Sequence, residues 1–230
     1  MPLTEVQINL YKKIKKHKLL LKTILKIYCF LNFNKCKING FNNTISNNGV
    51  LLKKVKFDII GNNNQIYFHE ESFIENVTFF IRGSNHHLSI GNHCVIKGGS
   101  FWFEDNNCRI NIGDDTTIEN AHLAATENEK SIEIGCDCML AYDIEIRTGD
   151  SHSIIDLNTH NRINYAQNVK IGNHVWLCAD VKILKGVTIG KNSIIGTGSI
   201  VTKSIPDNCI AAGIPAKVIH NNVTWKRPRI

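Results

Sequence analysis

Between Ile146 and Ile171 the sequence RTGDSHSIIDLNTHNRINYAQNVK interrupts a six-residue rhythm and gathers Asp150, His152, Asp156, His160, Arg162 and Tyr165 into one segment. An imidazole has an ordinary pKa of about 6.5 and takes a proton near neutral pH, so His152, close to the start of the segment, is a candidate general base. A single loop histidine is more often a solvated side chain, and His160 is read that way. Arg147 and Arg162, with Asp150 and Tyr165 beside them, suit contact with an anionic substrate, although lone arginines more often brace a loop. Insertions that project from a rigid scaffold commonly carry function.

The elements that position this segment are written in sixes. From Ile171 the chain reads IGNHVW, LCADVK, ILKGVT, IGKNSI, IGTGSI, VTKSIP, with Ile171, Leu177, Ile183, Ile189, Ile195 and Val201 at the first positions. The same period runs through IGCDCM, LAYDIE and IRTGDS from Ile134, with weaker echoes at Ile60, Ile90 and Ile112. A period of six is too short for an α-helical repeat and fits a short strand plus a turn, three of which close a triangular coil of about 18 residues. First-position aliphatics point inward and fifth-position residues face a crowded corner. Gly, Asn or Asp turns that corner, where positive φ is tolerated. Stacked coils pair about 4.8 Å apart and bury one apolar column. Gly91, Gly113 and Gly135 recur at an even interval that is longer than three hexads. Residues 41–130 are therefore expected to form irregular coils of the same solenoid, each with about four extra residues.

The formal charge of +7 is unevenly placed: residues 1–40 hold nine lysines and one acid, and the rest of the chain sums to −1. That distribution argues against a nucleic-acid binder, whose basic residues would line the body. Thr4 with Gln7 fits a capping box, and Leu10, Ile14, Leu21, Ile24, Tyr28 and Leu31 share one face. The spacing predicts a basic amphipathic helix over residues 1–40. Such a helix packs on the body or a neighbouring subunit, or touches an anionic membrane surface through residues 1–35. Lys22 and Lys26 interrupt its apolar run, no cleavage site follows, and no stretch nears the roughly 18 apolar residues of a spanning helix. A cytoplasmic protein is expected, peripheral at most to the inner face of a membrane. The eight cysteines read as reduced thiols, with Cys94 and Cys138 at fifth positions. His86, His87, His93, His122, His152 and His174 offer no pair at ligand spacing, so no metal is expected.

With GDSHSI and the run over residues 171–219, the chain resembles the hexapeptide-repeat acyltransferases. The stretch ML-A-x5-R-x2-D-x-H over residues 139–152 and the closing VTW-x-R at Trp225 look most like the bacterial capsular polysaccharide and polysialic acid O-acetyltransferases. The resemblance covers residues 130–227 well and residues 1–110 loosely. It implies a left-handed parallel β-helix, acetyl-CoA as co-substrate, and a homotrimer with sites between neighbouring prisms. It also implies that His152 is the general base and that Trp176 stands beside the acetyl and pantetheine end of the donor. Ala179, Thr197 and Thr202 then line the CoA groove, and Lys217 and His220 meet its phosphates. Cys178 departs from the family's usual Gly, GDSHSI lacks the proline that commonly follows the histidine, and an assisting polar residue is guessed only as His122 or Asn120.

The fold is read as mainly β, a left-handed parallel β-helix with an N-terminal amphipathic helix and a protruding loop. Its parts are residues 1–40, irregular coils over 41–130, regular coils over 131–206 with the loop at 149–169, and a tail over 207–230. The expected activity is acetyl-CoA-dependent O-acetylation of a bacterial surface polysaccharide, with sialic acid as one candidate sugar. An N-acyltransferase of an amino nucleotide sugar and a non-catalytic glycan-binding β-helix are the alternatives.

Overall fold

The computed structural model describes residues 34–230. Most of the helix expected over residues 1–40 lies outside the described residues, but Lys35–Asn39 is a strand and not the end of a helix. Its sequence, KCKIN, alternates lysine with Cys36 and Ile38, a period of two that suits a pleated strand.

Chain order runs through three faces in turn, and each strand pairs in parallel with the strand one full coil away. Sheet A has eight strands, from Lys35–Asn39 to Ile200–Val201. Sheet B has seven, from Thr44–Asn47 to Thr188–Ile189, and sheet C has nine, from Leu51–Lys53 to Cys209–Gly213 with Ala216–Asn221 added antiparallel. The result is a triangular parallel β-helix. Residues 207–230, expected as a tail, supply one further strand of sheet C and this closing hairpin.

Register sets the coil lengths. Phe57 lies level with Phe79, Phe79 with Phe101, and Phe101 with Leu123, and Ser100 bonds to His122 across the same interval of 22 residues. The step from Leu123 to Ile146 is longer by a single residue. The loop falls within the next step, from Ile146 to Ile183, and the step from Ile183 to Val201 is three hexads. Residues 41–130 are therefore not irregular, as had been expected from their weak six-residue signal. They repeat as strictly as the upper coils with a longer period. The extra residues lengthen two sides of the triangle: Val77–Arg82 has six residues and His87–Ile90 four, whereas Val95–Ile96 on sheet C keeps two.

A wider coil encloses more volume, and aromatic side chains fill it. Phe57, Phe68, Phe79, Phe101 and Phe103 are buried, and the Phe57 and Phe79 rings stack with centroids 5.0 Å apart. Alternate burial along Val77–Arg82 puts Val77, Phe79 and Ile81 inside. At one corner Gly61 has φ +138°, and a Cβ there would come within 1.8 Å of the Gly83 carbonyl oxygen, so a side chain is excluded by space and by backbone.

The fifth-position corner between sheets B and C is a ladder of small polar side chains. Ser72 Oγ accepts the Cys94 amide (2.9 Å), Thr116 Oγ1 accepts the Cys138 amide (3.1 Å), and the Cys94 and Cys138 thiols donate to the Gly113 and Gly172 carbonyls. Burial pushes the Cys94 thiol up to about 12 and the Cys138 thiol to about 11, so neither supplies a thiolate.

Candidate active site

Residues 148–168 leave sheet A after Arg147 and rejoin sheet B at Val169, so the loop grows from the A–B edge. It is held to the coils at two points and braced within at a third. Arg162 pairs with Glu127, whose other carboxylate oxygen accepts the Ala166 amide (3.2 Å). Lys185 pairs with Asp150 and donates to the Asn164 carbonyl (2.9 Å). Asn164, itself buried, donates to Asp150 Oδ2 (2.9 Å) and to the His152 carbonyl (2.8 Å), and accepts the Ile154 amide (2.7 Å). Burial alone would raise the Glu127 and Asp150 carboxyls. The cations and donors facing them outweigh it and hold both below the usual range. The outer turn is closed by Asp156, whose Oδ1 accepts the amides of Asn158 and Thr159.

His152 is fixed by its backbone and free at its ring. Its amide donates to the Asp150 carbonyl (2.8 Å), its carbonyl accepts from Asn164, and its exposed imidazole makes no hydrogen bond among the described residues. Of the residues expected to contact substrate, Asp150 and Arg162 are engaged with Lys185 and Glu127, and Arg147 pairs with Glu145. Tyr165 is 61% exposed, with the Arg162 guanidinium 5.0 Å from its ring centre. Beside the loop's root an open groove of about 550 Å³ is lined by Asp105, Asn128, Lys130 and Tyr165. His122 lies one coil below on sheet A, level with Glu145, and its Nδ1 is 2.7 Å from Ser100 Oγ. Burial pushes its pKa down.

The other expected residues are spread around the prism. Trp176 is half-buried on sheet C, level with Met139 below and Ile194 above. Ala179 and Thr197 mark the C–A edge, where the Gly198 amide donates to the Ala179 carbonyl (2.9 Å). Cys178 is half-buried there; burial raises its pKa, against a smaller lowering by a hydrogen bond with Thr197. Lys217 and His220 are exposed on the closing hairpin, opposite Ala212 and Ile210. Thr202 follows Ile200–Val201 on the A–B edge with the loop. One prism thus groups His152 with Thr202, and Ala179 with Thr197, while Trp176 faces a third direction. Glu127, Asn164 and Lys185 escaped sequence reasoning because Glu127 and Lys185 lie in coils on either side of the loop that carries Asn164, with no shared motif. Among the described residues no group of three or more His, Cys, Asp or Glu is placed to hold a metal ion.

Comparison with known proteins agrees with this architecture. The family described as bacterial transferase hexapeptide (six repeats) matches residues 168–203. The crystal structure of the polySia-specific acetyltransferase NeuO is 33% identical, covers 84% of this chain and 83% of its own, and superposes with a TM-score of 0.74. The polysialic acid O-acetyltransferase OatWY is also 33% identical, over 85% of this chain and 92% of its own, with a TM-score of 0.67. The chain belongs to the hexapeptide-repeat acyltransferases. Within that family it is 41% identical over 91 residues to the polysialic acid O-acetyltransferase of Escherichia coli O1:K1 / APEC, an alignment that spans 40% of this chain and 30% of that protein. The left-handed coil expected from the family resemblance is the fold of this hexapeptide-repeat chain.

Proposed function

We propose that this chain transfers an acetyl group from acetyl-CoA to a hydroxyl of a bacterial surface polysaccharide, with His152 as the general base. The observation that carries the reading is the long interruption of the coil, pinned to the scaffold through Glu127 and Lys185 and braced within by Asn164, which presents an exposed imidazole on a fixed backbone. Fixing the base in this way lowers the entropic cost of bringing it to the acceptor. His152 takes the hydroxyl proton as the acceptor oxygen attacks the thioester carbonyl. The carbon–sulfur bond then breaks, and the leaving CoA sulfur receives the proton that the imidazole holds.

Trp176 is the wall beside the acetyl end of the donor, Ala179, Thr197 and Thr202 line its groove, and Lys217 and His220 meet its phosphates, where cations suit phosphate oxygens. The separation of these residues over two edges and one face of a single prism supports a homotrimer in which His152 of one chain meets Trp176 of the next. Leu157 and Ile163, 86% and 62% exposed on the loop, suit contact with a neighbouring prism. The names of the two relatives matched over most of their length support a sialic-acid-containing acceptor. The lysines of residues 1–35 support contact with an anionic membrane surface.

The test is thiol release from acetyl-CoA in the presence of oligosialic acid. His152→Ala is expected to lower kcat by about 10² to 10⁴ while the circular dichroism spectrum is unchanged. Turnover near that of the unmodified protein would remove His152 from this role.

A further inference from the structure

The closing VTW-x-R sequence folds back on the corner between sheets B and C and touches three successive coils. Arg227 donates from Nε to Asp137 Oδ1 (2.9 Å), from Nη1 to Thr117 Oγ1 (3.0 Å), and from Nη2 to the carbonyls of Asp115 and Cys138 (3.1 Å each). Trp225 is buried, its indole N–H donates to the His174 carbonyl (2.8 Å), and its ring stacks on the His174 imidazole with centroids 4.2 Å apart. A second aromatic neighbour of the indole is Trp176, 6.0 Å away and tilted by 51°. That is contact range for an aromatic pair.

His174 closes this strap from both ring nitrogens. Nδ1 lies 2.7 Å from Asp137 Oδ2, and Nε2 lies 2.9 Å from the Trp225 carbonyl oxygen. Both partners accept only: one is a carboxylate and the other a carbonyl. A neutral imidazole carries one N–H, so the two bonds together require the imidazolium. His86 shows the opposite arrangement. Its Nδ1 accepts the Cys108 amide (3.2 Å) and its Nε2 donates to the Arg82 carbonyl (3.1 Å), which a neutral ring satisfies.

The charged groups around His174 are Asp137 from the coil below and Arg227 from the strap, which shares that carboxylate. Asp115 stands one coil further down, with His93 Nδ1 3.2 Å from its Oδ1. The coil above presents Lys191 and Asn192, the latter donating its amide to the Asn173 carbonyl (3.0 Å). Burial alone would raise the Asp137 carboxyl, but its bonds from Arg227 and His174 outweigh that and hold it low, so it stays charged through the neutral range.

We propose that Trp225 and Arg227 are positioning residues for Trp176, clasped to the corner by His174 and Asp137, so that the strap sets the orientation of the donor wall. The proposal rests on the reading of Trp176 as the wall beside acetyl-CoA. Strapping limits the orientations of the Trp176 ring, and loosening it weakens donor binding more than it slows the chemical step.

Steady-state kinetics with acetyl-CoA test this on the full chain. Trp225→Ala is expected to raise the KM for acetyl-CoA roughly three- to tenfold, with a smaller change in kcat, and Trp225→Phe to recover most of it. An unchanged KM in Trp225→Ala overturns the positioning role. If Trp176→Ala also leaves that KM unchanged, the donor reading of Trp176 itself has failed, whereas a raised KM in Trp176→Ala beside an unchanged KM in Trp225→Ala overturns the positioning role alone.

Discussion

Below the loop, Phe57, Phe79 and Phe101 occupy one column of sheet A at the longer step; above it, Ile183 and Val201 continue the column at a step of three hexads. Both regions bury a continuous apolar core, but the lower one needs aromatic volume because sheets A and B are longer there, while the upper one closes on branched aliphatics. Periodicity and core composition are therefore coupled: a longer coil without larger side chains would leave voids, and a short coil could not hold them. The upper region is the one that the hexapeptide family description matches, over residues 168–203.

The strongest way to break this comparison is to empty the lower column. Phe79→Ala is expected to cost about 3 to 5 kcal/mol in urea unfolding, whereas Ile183→Val in the upper column costs about 0.5 to 1.5 kcal/mol. Equal losses would show that the wide coils do not depend on aromatic filling. A smaller effect is expected where the regions meet. Glu127 belongs to the lower coils and holds Arg162 and the Ala166 amide of the loop. Because the pair is partly exposed, Glu127→Gln should change stability by less than about 1 kcal/mol, yet loss of the anchor should lower kcat roughly tenfold through misplacement of His152. A kcat that stays level would mean that Asn164 and Lys185 suffice.

The smallest effect concerns thiols that the two regions share. Cys94, Cys108, Cys138 and Cys209 are buried and Cys36 and Cys136 exposed. A thiol reagent on the native protein should modify Cys36 and Cys136 quickly and the four buried thiols only on unfolding, read by mass spectrometry of peptides. Early modification of Cys94 or Cys138, whose thiols burial holds at about 12 and about 11, would show that the corner ladder opens.

The strap also has an acid limit. Asp137 is held low in the folded state, so its contribution is present above the ordinary carboxylate range and is lost as pH falls through its lowered value. Protonation of Asp137 removes the charge that Arg227 and His174 share.

The upper coils were legible because each six-residue unit carries its own inward aliphatic and its own corner residue. In the lower coils only Gly91, Gly113 and Gly135 betrayed the period. Phe79 and Ile81 alternate inward along one longer strand, which dilutes a period of six and reads as irregularity. The loop was legible as a break in rhythm, expected at residues 149–169 and found between Arg147 and Val169. Its anchoring was not, since Arg162 and Glu127 are 35 residues apart, as are Lys185 and Asp150, and pairing across coils leaves no local pattern. Lys35 and Lys37 were assigned to a helix on charge, and their alternation with Cys36 and Ile38 was the better signal.

The fixed register of sheet A makes the lower coils a spacer of countable height. From Lys35–Asn39 to Ile144–Arg147 the sheet advances five strands. At about 4.8 Å each, that lifts the loop roughly 24 Å above the first described strand. Each further coil of the longer kind would raise the loop by one more increment without altering its chemistry. The reach of His152 above Lys35–Asn39 is set by a number of turns.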